Sequence, residues 1–142
     1  MAKSNPISIR LSRDVDELVS AEARRTRRSR SAVIEGLTEE AARARLFPGI
    51  VFTGPDHDRR ASLVGTALDV WQVIELHRDY GSTEALAEDF NALTPEMIRL
   101  ALAYYERFPE EIDEKIARNN RPAEEWLREY PFIEVFEIPS TG

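Results

Sequence analysis

The chain has 142 residues, 42% hydrophobic and 32% charged, a balance that suits one ordinary globular domain or two small ones and excludes a disordered tract. It has no cysteine, which excludes a disulfide framework and thiol catalysis and leaves any zinc site to histidine and carboxylates. The net charge of −7 hides an asymmetry: residues 1–30 carry eight basic groups against four acidic ones, a net of +4, so the remainder sums to −11. A basic head on an acidic body implies two surfaces for two different partners. No apolar run approaches the ~20 residues of a membrane span. The start, Met1 to Pro6, has no apolar stretch after Lys3. Neither a membrane partner nor a signal peptide is expected, and the expected location is the cytoplasm.

Ile7-Ser8-Ile9-Arg10-Leu11 alternates apolar and polar residues with the period of a half-buried strand, with Pro6 at its start. Ser12 is a good N-cap for a first helix, and Asp14, Asp16 and Glu17 follow where the helix dipole favours acids. Val15, Leu18, Val19 and Ala23 give that helix its apolar stripe. The basic run Arg24–Arg30 interrupts the pattern. A second helix starts at Ser29 or Ser31, carries Val33, Ile34, Leu37 and Ala41, and ends near Leu46 before Pro48-Gly49. Gly36 within it is expected to mark a close helix crossing.

A lone strand leaves its ladder groups unpaired. Two copies of residues 7–11 pairing antiparallel, covered by the first two helices of each chain, solve this and predict a homodimer. The far face of the ribbon presents Ser8 and Arg10, and arginine in a major groove bonds guanine O6 and N7. The second helix start offers free amides to a phosphate, with Ser29, Arg30 and Ser31 beside it. The run from Ile7 to Val15, followed by a helix and then Arg28-Ser29-Arg30-Ser31-Ala32-Val33-Ile34, resembles the ribbon-helix-helix (MetJ/Arc/CopG-type) DNA-binding family. The resemblance implies an obligate dimer on operator DNA, with base contacts from Pro6, Ser8 and Arg10 and phosphate contacts near Arg28 and Ser29. Pro6 stands where that family usually has a polar residue.

Gly49–Thr53 and Ala61–Val64 read as a hairpin around the polar loop 54–60. Asp56, His57 and Asp58 are three adjacent loop residues, poor geometry for a metal, and are read as solvated. Four helices are expected next. They are a central one over Asp69–Tyr80, a short one over Thr83–Phe90 capped by Ser82, one capped by Thr94 with Pro95 at its first position, and one opened by Pro109. His77 is read as a core or rim histidine. Asp69-Val70-Trp71-Gln72-Val73-Ile74, Leu93-Thr94-Pro95-Glu96-Met97-Ile98, Ala101-Leu102-Ala103-Tyr104-Tyr105 and Pro109-Glu110-Glu111-Ile112-Asp113 are similar to an antitoxin family of unknown function, numbered four hundred and thirty-three, with a homeodomain-like helical fold. Leu46 to Phe52 after such a head also resembles VapB-type antitoxins. Those resemblances imply that the body binds a PIN-like ribonuclease toxin. From residue 61 onward seven basic groups face seventeen acidic ones, a net of −10. Such a surface repels DNA phosphate and suits a basic protein partner.

Residues 122–130 read as a short helix and Phe132–Ile138 as a strand with little to pair with. Trp126, Tyr130, Phe132 and Phe136 are aromatic anchors that dock either on the toxin or on this chain's own body. With Tyr105 they form the expected toxin-binding set. There is no phosphate-binding glycine loop, no HExxH and no nucleophilic cysteine, so no enzyme, cofactor or metal is expected. The expected organisation is a mainly α fold with short β. A ribbon-helix-helix head spans residues 1–46, a small helical domain 47–120 and a partner-binding tail 121–142. The competing expectation is a stand-alone regulator whose body senses a ligand.

Overall fold

The computed structural model describes residues 5–132. They form seven helices and a two-stranded antiparallel sheet, in the order α1 (Arg13–Thr26), α2 (Arg30–Leu46), β1 (Ile50–Thr53), β2 (Arg60–Leu63), α3 (Val70–Tyr80), α4 (Thr83–Asp89), α5 (Pro95–Arg107), α6 (Pro109–Asn119) and α7 (Ala123–Glu129). The chain divides into two compact units, one through Arg60 and one from Ala61.

In the first unit, the Ser12 hydroxyl accepts the Val15 N–H at 3.3 Å and so caps α1. Of the two candidate caps for α2, Ser29 takes the role, its hydroxyl accepting the Ala32 N–H at 3.1 Å. The core between the two helices is small: Val19, Ala23 and Val33 are buried, and Leu11 and Ile34 pack against them. Ile50 on β1 is buried as well, where the strand packs against α2. Gly54 cannot be replaced without a shift, because a Cβ there would lie 2.4 Å from the Asp58 carbonyl. Arg59 closes the hairpin loop, donating to Glu40 at 2.7 Å and to the Gly54 and Phe52 carbonyls at 2.6 and 3.1 Å.

Two expectations change here. Residues 7–11 form no strand, because a ladder needs an opposite edge and no described segment of this chain offers one. Gly36 marks no close crossing within the chain, since a Cβ there would meet nothing nearer than the tip of Arg28 at 3.9 Å.

In the second unit α3 is central, and α4, α5 and α6 pack against it. Val70, Val73 and Ile74 supply its buried face, opposed by Leu86, Ile98, Ala101, Tyr104, Ile112 and Ile116. These positions follow helical spacing on every element, which is why the pattern folds into a bundle. Asp69 is the junction of the unit. It precedes α3 as N-cap, its backbone N–H donates to the Gln72 side chain at 2.8 Å, and its carboxylate accepts Ser62 Oγ at 2.6 Å and Trp71 Nε1 at 3.2 Å. Gly81, at φ 81°, ends α3 in the left-handed conformation that favours glycine. Thr94 caps α5 and Pro95 occupies its first turn. The Tyr104 hydroxyl, fully inside, donates to Glu111 at 2.8 Å and ties α5 to α6.

Candidate nucleic-acid interface and partner-binding surface

Pro6, Ser8 and Arg10 are exposed, and so are Arg28, Ser29, Arg30 and Ser31. Ile7 and Ile9 are 80% and 64% exposed, although they share alternation parity with Leu11, which packs on the helical core. Leu18 on α1 is 71% exposed. An apolar strip of this kind beside a small core is an unfinished surface.

The basic run is not uniform. Arg25 is held between Glu22 on its own helix and Asp56 of the hairpin loop, the latter at 3.2 Å. The Arg25 guanidinium holds the Glu22 carboxyl below the usual carboxylate range. Arg30 pairs with Asp16. Arg24, Arg27 and Arg28 make no ion pair among the described residues and remain exposed at the α1–α2 turn, next to the capped start of α2. Net positive charge therefore collects at that turn, where backbone amides also point outward. That Arg25 and Arg30 are already engaged was not readable from the sequence, because their partners lie 31 and 14 residues away.

In the hairpin loop, Asp56 and Asp58 are engaged by Arg25 and Arg60. Among the described residues no group of three or more His, Cys, Asp or Glu side chains is placed to hold a metal ion. His77 sits near the end of α3, its Nε2 3.3 Å from Thr83 Oγ1.

Of the aromatic set, Tyr105 is half-buried and its hydroxyl is committed: it donates to Asp113 at 2.6 Å and accepts from Arg78 at 3.0 Å, with the guanidinium 5.6 Å from the ring centroid. The Asp113 hydrogen bond pushes the phenol above its usual range. Only its ring face is left for a partner. Trp126 and Tyr130 stack at 6.0 Å, and Phe132, 80% exposed, meets Tyr130 edge-on. Arg121 organises this segment. It lies 4.5 Å over the Trp126 ring and bridges Glu125 and Glu129 at 3.3 and 2.7 Å. The spacing of four and eight residues from Arg121 was the available signal for that staple. Phe136 and the expected strand beyond Phe132 lie outside the described residues.

Residues 58–105 match the model of a family described as a protein of unknown function (DUF433). The match runs from the hairpin loop through most of α5 and so covers the Asp69 junction. No curated protein and no solved structure matches the chain. No described helix is long and apolar enough to cross a membrane.

Proposed function

We propose that the chain is an antitoxin-type repressor, a homodimer whose head grips operator DNA and whose acidic remainder neutralises a PIN-like ribonuclease toxin. The observation that carries this is the exposed Ile7/Ile9 strip with no strand to pair with among the described residues, lying in sequence just before two capped helices and an arginine-rich turn. Antiparallel pairing with a second copy satisfies the free backbone groups and covers the strip. Because Leu11 packs inward, alternation turns Ser8 and Arg10 outward, to the face a ribbon presents to a major groove. Arg24, Arg27 and Arg28 then flank the groove as phosphate contacts.

The net charge of −10 from residue 61 onward supports a basic protein partner for the second unit. The stacked Trp126, Tyr130 and Phe132 supply rigid aromatic area for it. Two such dimers bridged by toxin gain avidity on tandem half-sites.

The division of labour is tested by Arg10→Ala. The variant is expected to lose operator binding in an anisotropy titration and still neutralise the product of the neighbouring gene in co-expression. Loss of both activities together would overturn it.

A further inference from the structure

We infer that Arg27 is a phosphate-gripping residue of the head, held in left-handed backbone geometry at a cost to the fold so that its guanidinium is available to DNA. This rests on the DNA-binding reading above.

Arg27 has φ 56° and ψ 38°. Five described residues have positive φ; the other four are Gly49, Gly54, Gly65 and Gly81. The geometry at Arg27 is imposed by the end of α1, where the Arg28 N–H reaches back to the Ala23 carbonyl at 3.1 Å. That closure requires the residue before Arg28 to be left-handed, a place glycine fills without strain and an L side chain does not. At the end of α3 this chain puts Gly81 there; here it keeps an arginine.

The Arg27 side chain returns nothing to the fold. It is exposed and makes no hydrogen bond, ion pair or ring contact among the described residues. Its neighbours Arg25 and Arg30 are engaged by Glu22, Asp56 and Asp16. A strained residue whose side chain stabilises nothing within its own chain points to a ligand outside it. The surroundings set the chemistry of that ligand. Arg24 and Arg28 are equally uncommitted, and α2 begins close by at Arg30, with no acid in its first turn. Clustered cations around the start of a 17-residue helix suit a polyanion with regularly spaced phosphates, which is duplex DNA.

The experiment compares the full-length wild type, Arg27→Gly and Arg27→Lys. Thermal melts are paired with fluorescence-anisotropy titrations of a 30-base-pair random-sequence duplex over a range of KCl concentrations. Arg27→Gly is expected to melt higher, by about 2–4 °C, because strain is relieved. Its salt slope is expected to fall by about 1.8 per dimer, from ~0.9 for each lost phosphate contact, and its affinity at 0.1 M salt by on the order of tenfold or more. Arg27→Lys retains the charge and is expected to keep most of the slope without the gain in melting temperature. Unchanged DNA binding by Arg27→Gly, beside a wild type that binds, overturns the role of Arg27 and leaves the DNA-binding reading standing. A wild type with no salt-dependent binding overturns both.

Discussion

Replacing Ile9 by alanine tests the dimer directly. In the single chain Ile9 is 64% exposed, so pairing with a second copy has most of the side chain left to bury. The substitution removes three carbons, worth ~0.8 kcal/mol each when fully buried, which at that exposure comes to ~1.5 kcal/mol per protomer. Two symmetric copies double the loss to ~3 kcal/mol, or roughly two orders of magnitude in the dimer dissociation constant. Because the side chain contributes little to the small core of its own chain, the folded protomer is expected to keep its helical circular dichroism. Sedimentation equilibrium over a concentration series reads the effect, since the apparent mass moves between one and two times the 16.2 kDa of the chain. Two results would refute the reasoning: a wild type that stays monomeric at every accessible concentration, or an alanine variant with an unchanged dissociation constant.

Asp69→Ala removes the N-cap of α3 together with the carboxylate that receives Ser62 and Trp71, a combined cost of about 2–3 kcal/mol. Both tryptophans, Trp71 and Trp126, lie in the second unit, so urea unfolding followed by tryptophan fluorescence reports this unit, and its midpoint is expected to fall by about 1 M. Asp69→Asn, which keeps a capping oxygen, is expected to lose less than half as much. The Glu22 carboxyl is held below its usual 4.5 by Arg25, so its contribution to stability is complete above that value and fades as pH falls through the lowered one. Melting curves of the wild type and Glu22→Gln should therefore differ by a constant amount at neutral pH and converge in acid. A difference that widens on acidification would contradict the sign.

Much of the architecture is legible in short-range chemistry. Ser12, Ser29, Ser82 and Thr94 each accept the N–H three residues on, and each can be picked out as a Ser or Thr ahead of an apolar-periodic run. The buried positions of α3, α5 and α6 follow from their periodicity. What resisted reading was long-range or conformational. The clamp of Arg59 on Glu40 and the capture of Arg25 by Asp56 join residues 19 and 31 apart, and no local pattern announces such pairs. The left-handed backbone at Arg27 carries an arginine where the usual signal would be glycine. Gly36 suggested a close crossing because glycine weakens a helix, yet its neighbour within the chain is a flexible side-chain tip. Residues 7–11 have the alternation of a strand, but pairing is a property of two segments and the described chain contributes one.

The central claim is that the head reads DNA through its ribbon. The most direct measurement is an anisotropy titration of the purified protein against duplex DNA from upstream of its own gene, with the wild type and Arg10→Ala compared at several salt concentrations. Tight binding that falls steeply with salt and vanishes in the variant is the predicted result. No preference over random DNA, or equal binding by Arg10→Ala, would contradict it.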